Sequence, residues 1–472
     1  MRKQEIDHDE IHALYEESEV WHVNTGGNVI HAKRMGGRFR MRKWWANAFW
    51  LILFLGPYLR WDDRQAVLFD IPNRQFQIFG ATVLPQDFWL LALTLIFFAI
   101  LLAVVTAVAG RIWCGYFCFQ TVWTDVYTWI EEKLEGNPQK RRKLDAAPMS
   151  LAKLRIKTTK HFIWLAIGAL TGISFIAWFQ DAFTIWAELF TLELHVYGWA
   201  TIAVFMGFTY LFAGFMREQV CFWLCPYARI QGVMYDRQTI LPTYDFDRGE
   251  PRGRVQKDVD QEGHLGDCID CNQCVAVCPT GVDIRHGQQE GCITCGLCID
   301  ACDSIMDKVN RPHGLIRYAS LKEMEGESVK PPLKRARVLV YLGIIFGAAI
   351  AIIYGLANLS AVELKVLHER QPLFVLQSDG SIQNKYILKI LNKTDQTLTL
   401  RVLAEGPQGL TLSGLQGNIT AKNGKVSSNT LFVRVPRTSL AGEMNPITFR
   451  IETVGDSELF SEYESIFIGP RY

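Results

Sequence analysis

Apolar residues in this chain are gathered into blocks rather than spread evenly. Five blocks are long enough, or nearly so, to cross a bilayer as helices: Trp44–Leu59, Phe88–Gly110, His161–Phe179, Val196–Phe215 and Val338–Leu359. The first is the shortest and contains Gly56-Pro57, but its basic flank (Arg40, Arg42, Lys43) and leading tryptophans favour a spanning helix. No small-residue cleavage site follows it, so it does not read as a removed signal peptide. After the fifth block the period changes to strand-like alternation, as in "VELKVL", "YILKILN" and "ITFRIETV". Turn signals such as Ser378-Asp379-Gly380 and Asn392-Lys393-Thr394-Asp395 separate these runs. About seven short strands in such a stretch predict an immunoglobulin-like sandwich.

Lysine and arginine placement predicts orientation. Basic residues cluster at Arg38–Lys43, at Lys140-Arg141-Arg142-Lys143 and at Lys153, Arg155, Lys157 and Lys160. The connection Gln180–His195 carries Asp181, Glu188 and Glu193 and no lysine or arginine. The positive-inside rule then puts the N-terminus, the 111–160 loop and residues 217–337 in the cytoplasm, and five spans put the C-terminus outside. The connection after the first block, with Arg60, Arg64 and Arg74, fits less cleanly. The expected division is a cytoplasmic segment 1–43, a four-helix membrane region 44–235, a cytoplasmic domain 236–337, a fifth transmembrane helix 338–359 and a periplasmic all-β domain 360–472. The net charge of +1 gives no reason to expect nucleic acid as a partner.

All twelve cysteines lie between Cys114 and Cys302 in short C-x2-C and C-x3-C steps. That spacing argues against a disulfide framework. "CIDCNQCVAVCP" supplies Cys268, Cys271, Cys274 and Cys278, and "CITCGLCIDAC" supplies Cys292, Cys295, Cys298 and Cys302. This duplicated rhythm is that of a bacterial two-cluster ferredoxin. Three close cysteines wrap three corners of a 4Fe–4S cubane, and the fourth ligand comes from the other motif. The expected sets are Cys268, Cys271, Cys274 and Cys302 for one cluster, and Cys292, Cys295, Cys298 and Cys278 for the other, in an α+β ferredoxin-like insert. Pro279 follows the first motif, whereas Asp303 stands where the second would have proline. Zinc also binds four thiolates, but eight cysteines in this rhythm are foreign to zinc sites.

A second pair of motifs matches in place as well as spacing. "RIWCGYFCFQ" sets Cys114 and Cys118 just past the second block, and "EQVCFWLCPY" sets Cys221 and Cys225 just past the fourth. If the helix continues, each C-x3-C puts both sulfurs on one face. Four thiols at the membrane edge can bind a soft metal such as Cu(I), cycle through a disulfide, ligate a further cluster, or pack as small hydrophobes. His161 and His195 lie at ends of membrane blocks and read as interface anchors rather than haem ligands. His8, His12, His22 and His31 dot a polar N-terminal segment. Gly26-Gly27 lacks the strand–helix context of a nucleotide loop, and there is no G-x-G-x-x-G.

Two helical hairpins each ending in C-x3-C, a two-cluster ferredoxin insert, a final span and a β-sandwich together resemble the cytochrome c oxidase accessory protein family (CcoG/FixG/RdxA). "WCGYF" with "QTVWTD" (Gln120–Asp125) and "YDFDRGEPRG" (Tyr244–Gly253) resemble its signatures, and the resemblance covers about residues 20–472. One departure is visible: Cys225-Pro226 follows the family pattern, but the first motif reads Cys118-Phe119.

The resemblance implies an inner-membrane protein that serves assembly of a cbb-type haem–copper oxidase as a reductase of Cu(II) to Cu(I). Cys114, Cys118, Cys221 and Cys225 would form its copper or redox site. It further implies a cytoplasmic electron donor and oxidase assembly factors, including a copper-transporting ATPase, as partners. Ferredoxin potentials can lie near about −400 mV, so electron flow to copper is downhill. Two other readings fit the residues: a quinol-linked relay to a respiratory reductase, and an assembly scaffold whose clusters are structural.

Overall fold

A computed structural model of the chain describes residues 32–470 apart from 62, 63, 80, 255–264, 359, 395 and 416. His8, His12, His22, His31 and Gly26-Gly27 lie outside the described residues. Contacts divide the chain into two units. One comprises the residues up to Tyr58 with Thr94–Ala349, and the other Leu59–Leu93 with the residues from Ile350 onward. The connection Leu59–Leu93 therefore groups with the C-terminal domain, not with the membrane region expected over 44–235.

The first unit begins with α1 (Arg38–Asn47), a 3-10 turn (Ala48–Trp50), α2 (Leu51–Leu55) and a second 3-10 turn (Gly56–Tyr58). This broken run corrects the expectation of a continuous first span at Trp44–Leu59. The apolar stretch after Lys43 falls short of the about 20 residues a spanning helix needs, and Gly56-Pro57 closes it. The chain continues through α3 (Phe88–Ala109), α4 (Ile112–Tyr116), α5 (Phe119–Glu135), α6 (Leu151–Ile176) and α7 (Val196–Thr209), which runs on as a π-helix over Tyr210–Met216. Then come α8 (Pro226–Gly232), α9 (Leu297–Lys308) and α10 (Ala336–Ala357). Among the described residues four helices, not five, are long and apolar enough to cross a membrane: α3, α6, α7 with its continuation, and α10. Leu91, Leu95 and Phe98 stand exposed on α3, as a lipid-facing surface requires.

Helix α6 starts ten residues before the expected span, capped by Ser150, whose hydroxyl accepts the Lys153 N–H at 3.2 Å. Its basic first turns reach back to α5. Glu135 of α5 pairs with Lys157 (2.9 Å) and Lys160 (2.8 Å) of α6, while Glu131 pairs with Arg141 (2.6 Å) before α6 and Arg217 (2.7 Å) after α7. Further along, Gly168 and Gly172 let α6 approach α7 closely. A Cβ on Gly168 would lie 3.0 Å from the Met206 carbonyl oxygen, and one on Gly172 2.9 Å from Ile202 Cα. Such small-x3-small spacing is how helices pack where lipid provides no hydrophobic drive.

The second unit is a two-sheet sandwich. One sheet runs Thr411–Ser413, Val426–Pro436, Ser381–Asn392, Val362–His368, and the other Ile419–Ala421, Leu398–Glu405, Met444–Thr453, Asp456–Ile468, with all neighbours antiparallel. Alternate side chains, among them Tyr386, Leu388, Ile390, Leu431, Val433, Phe449 and Ile451, are fully buried between the sheets. A small antiparallel meander, Val67–Asp70, Gln75–Ile78 and Ala81–Val83, precedes α3 in this unit.

Candidate functional site

The two ferredoxin motifs fold as near copies. In the first, Asp270 and Asn272 flank Cys271 with positive φ, and in the second Thr294 and Gly296 flank Cys295 in the same way. Each left-handed pair curls the backbone around a hollow, and Asn272 and Gly296 then cap the helices that follow. Cys298 and Cys302 lie four residues apart on α9. One cavity is lined by Cys268, Cys271, Cys274 and Cys302, and a second by Cys278, Cys292, Cys295 and Cys298, with Cys274 on the wall between them. Each cavity is thus lined by three cysteines of one motif and reached by the last cysteine of the other, Cys302 at the first and Cys278 at the second.

The donor sets suit a 4Fe–4S group. All twelve cysteines are free thiols, and among the described residues no three ligating side chains converge as tightly as a single metal ion requires. Sulfurs spaced around a hollow are what a cubane needs. Burial pushes the Cys271 thiol up to about 11 and the Cys292 thiol up to about 12, with Cys274 and Cys298 also driven well up. Such thiols ionise only against metal charge, so the cavities favour a bound cationic centre. Backbone N–H groups already point at sulfur, from Val282 to Cys278 (3.3 Å) and Thr294 to Cys292 (3.5 Å).

Helix α4, which carries Cys114, lies directly against the second of these loops. A Cβ on Gly115 would stand 2.5 Å from the Ile293 carbonyl oxygen and 3.0 Å from Cys295 Cα, so only glycine allows this approach. The Tyr116 hydroxyl donates to the Cys295 carbonyl at 2.9 Å, and the Arg111 N–H donates to the Thr294 hydroxyl at 3.1 Å. Cys114 is buried in one apolar cluster with Ile293, Cys295 and Leu297, and Cys118 packs against it.

Neither C-x3-C continues as a helix, which corrects the one-face arrangement. Cys118 and Cys225 each turn extended (ψ 127 and 107) and start a new helix, α5 and α8. Pro226 enforces this at Cys225. Cys118 itself stands at the N-cap position of α5, and the nearby N–H groups of Gln120 and Thr121 help to lower its pKa. Cys114 and Cys118 share a hydrogen bond that lowers the Cys118 pKa and raises that of Cys114. Burial pushes the nearby Cys221 up to about 12. Cys114 also contacts the Gln231 side-chain oxygen at 3.4 Å. The structure therefore joins Cys114 and Cys118 as a pair, with Cys221 close by, but does not gather all four thiols on one ion.

Several residues of this site escape a reading by cysteine spacing. Gln120 Nε2 donates to the carbonyls of Phe212 (2.9 Å) and Arg217 (3.0 Å), tying the two C-x3-C segments together. Asp125 accepts from Arg34 (2.8 Å) and Arg40 (2.9 Å), and Asp300 accepts the Phe39 and Arg40 N–H groups at 3.1 and 2.8 Å. The basic segment thus docks on the ferredoxin fold. Lys43, Asp125, Arg217, Cys221 and Thr280 share the lining of a polar chamber beside the second cavity. The "QTVWTD" run was the visible signal for Gln120 and Asp125. His161 bonds Tyr210 at 3.1 Å and stacks on Phe215, while His195 caps α7.

The 4Fe-4S dicluster domain family matches residues 216–321, a 4Fe-4S binding domain family matches 91–138, and the family of the IG-like fold at the C-terminal of FixG matches 352–470. Nitrogen fixation protein FixG of Rhizobium meliloti is 40% identical, over 86% of this chain and 86% of its own. Protein RdxA of Cereibacter sphaeroides is also 40% identical, over 91% of this chain and 94% of its own. The chain belongs to the FixG/RdxA family. A crystal structure of a FixG-related protein from Vibrio parahaemolyticus matches 23% of this chain and 97% of its own at 23% identity and a TM-score of 0.21. As a family member with two 4Fe-4S domain matches and four candidate spans, the chain is a membrane iron–sulfur electron-transfer protein.

Proposed function

We propose that this FixG/RdxA-family protein reduces Cu(II) to Cu(I) at the membrane edge for assembly of a cbb-type cytochrome c oxidase. The observation that carries the reading is the seating of α4 on the Ile293–Cys295 backbone through Gly115, which sets the Cys114–Cys118 pair beside the second cavity. Cys268, Cys271, Cys274 and Cys302 would hold one 4Fe–4S cluster, and Cys278, Cys292, Cys295 and Cys298 the other. Such clusters, when bound, supply single electrons at low potential.

The remaining roles belong to the chain itself. Tyr116 and Gly115 hold the thiol pair against the cluster loop, and apolar packing around Cys114 excludes water. Cys118, its proton held less tightly than that of an ordinary thiol, offers a thiolate to incoming Cu(II). Cys114 and the nearby Cys221, with Cys225 at the end of the same motif, would supply further sulfur for Cu(I), the state that thiolates prefer. One electron is taken up per copper ion, and Cu(I) leaves for a copper-transporting ATPase or another oxidase assembly factor. The basic connections after α3 and α7 support a cytoplasmic ferredoxin fold, where an electron donor would dock, and a periplasmic C-terminal domain follows from the same rule.

The test is anaerobic. Reduced protein is mixed with Cu(II) and a Cu(I)-specific chromogenic chelator, and cluster bleaching and Cu(I) are followed together. The expected result is Cu(I) formation matched by cluster reoxidation, lost in a variant with Cys114, Cys118, Cys221 and Cys225 changed to Ser that keeps its iron. Equal Cu(I) yield in that variant removes the thiols from the mechanism. No Cu(I) from the wild type, with oxidation of a quinol analogue instead, replaces the reductase with a quinol relay.

A further inference from the structure

The two cysteine-lined cavities are alike in backbone and unlike in charge. Beside the first stands Arg285, and its guanidinium is fully engaged by carboxylates: Nε and Nη2 to Asp283 at 2.9 and 2.7 Å, and Nη1 to Asp270 at 2.5 Å. Arg248, also near this side, is paired with Asp267 at 2.5 Å. Asp303 adds a negative charge next to Cys302. The cations of the first cavity are therefore neutralised before any cofactor arrives.

Near the second cavity lie two buried cations that are not, Arg111 through its bond to Thr294 and Lys43 in the chamber shared with Thr280, Ile293 and Leu297. Arg111 is 6% exposed, and its side chain has a backbone carbonyl, that of Ala228, as hydrogen-bond acceptor, while Nε has none. Among the described residues no carboxylate pairs with it. Lys43 is 1% exposed and among the described residues makes no ion pair; the carboxylate in its field, Asp125, is shared by three cations and bonded to the other two, Arg34 and Arg40, so Lys43 is compensated only in part. A buried cation without an anion is strongly unfavourable. The anions these two face are sulfurs. Arg111 acts on Cys292, Cys114 and Cys221, and Lys43 acts on Cys295, each in the thiolate-favouring direction. Arg111 is also fixed by its own N–H to Thr294, inside the cluster loop.

Resting on the ligand sets given above, we propose that Arg111 and Lys43 are positioning residues that raise the reduction potential at the second cavity above that at the first. The added electron of a reduced centre is negative charge, and nearby cations that no carboxylate bonds stabilise it more than ion-paired ones. With clusters bound, an electron would pass from the centre held by Cys268, Cys271, Cys274 and Cys302, oxidising it, to the one held by Cys278, Cys292, Cys295 and Cys298, reducing it, with no proton or bond exchanged. The fold thereby directs electrons toward the membrane-edge thiols and hinders their return.

The experiment is a redox titration of the full-length, cluster-loaded protein in detergent, followed by electron paramagnetic resonance, with no copper present. Wild type is expected to show two one-electron steps. Arg111→Gln and Lys43→Met are expected to shift the higher step down and leave the lower in place, with iron and sulfide content unchanged, and Arg111→Lys to restore it. Cys302→Ser, which alters the first cavity alone, is expected to move or abolish the lower step, and Cys298→Ser the higher. Coincident steps in the wild type, unmoved steps in both charge variants, or a lower step that responds to Cys298→Ser each overturn the proposal. Because copper is absent, such a failure leaves the cupric reductase reading to its own assay.

Discussion

The hydroxyl of Tyr116 donates to the main-chain carbonyl of Cys295 at 2.9 Å, so that a helix at the membrane edge is hydrogen-bonded to a loop that lines the second cysteine cavity. The neighbouring Gly115 has no room for a side chain there, because the atoms a Cβ would meet are backbone. Gly115→Val should therefore unseat α4, whereas Tyr116→Phe should cost only the hydrogen bond, about 0.5–1.5 kcal/mol. Visible absorbance of the clusters during denaturant titration checks this. Gly115→Val is expected to lower the midpoint clearly more than Tyr116→Phe.

Asp125 gives the docking of α1 a pH dependence. Burial alone would raise its pKa, but Lys43, Arg40 and Arg34 outweigh burial and hold it below the usual carboxylate range. For a depressed carboxylate the stabilisation is fully present above the unfolded value of about 4 and is lost as pH falls through the lower folded value. Asp125→Asn should remove this at neutral pH, leaving buried cations uncompensated at a cost of about 3–5 kcal/mol. Acid titration of cluster absorbance should show the wild type losing stability below about pH 4. The variant should start less stable and lack that step.

Cys118 should be the reactive thiol of its pair. The adjoining Cys114 thiol lowers its pKa, as do the nearby N–H groups of Thr121 and Gln120. Alkylation by iodoacetamide, mapped by peptide mass, should follow a pH profile with its midpoint below the about 8.5 of a free thiol. Cys114→Ala removes the donor and should move that midpoint up. An unchanged profile would show that the hydrogen bond does not govern reactivity.

Much of this architecture could be read from residue spacing because its causes are local. Three cysteines within seven residues can wrap one metal centre, and unbroken apolar helices declare themselves by length. The broken run after α1 could not be read so easily, since Trp44–Tyr58 has a spanning composition and only Gly56-Pro57 betrays the interruption. Arg111 and Lys43 were invisible for a different reason. Basic residues flanking apolar blocks are ordinarily solvated anchors, and their burial follows from helix docking more than 180 residues away in sequence, as the Arg111–Thr294 bond shows. The place of Leu59–Leu93 was also hidden, because its strands are short and the contacts that assign it are distant.

That last contact supports a prediction of its own. Asp87, in the turn that opens α3, accepts from Lys393 at 3.1 and 3.0 Å, and Glu363 lies 3.4 Å from the same ammonium. All three residues belong to the second unit, and the Lys393 side chain is 5% exposed. Asp87 Oδ2 also accepts the Leu84 N–H at 3.2 Å, so the carboxylate fixes the turn while the lysine fixes the carboxylate. Lys393→Met removes the cation and leaves a buried Asp87 beside Glu363, which should cost about 3–5 kcal/mol. Asp87→Asn with Lys393→Met removes both charges and should recover much of that loss, because replacing a buried pair outright is far milder than breaking it. Hydrogen exchange on the full chain separates the outcomes. The single variant should lose protection at residues 81–90 while the strands of the sandwich core, centred on Ser381–Asn392, keep theirs, and the double variant should regain it. Equal protection in all three proteins would mean that the sandwich holds this segment without the ion pair.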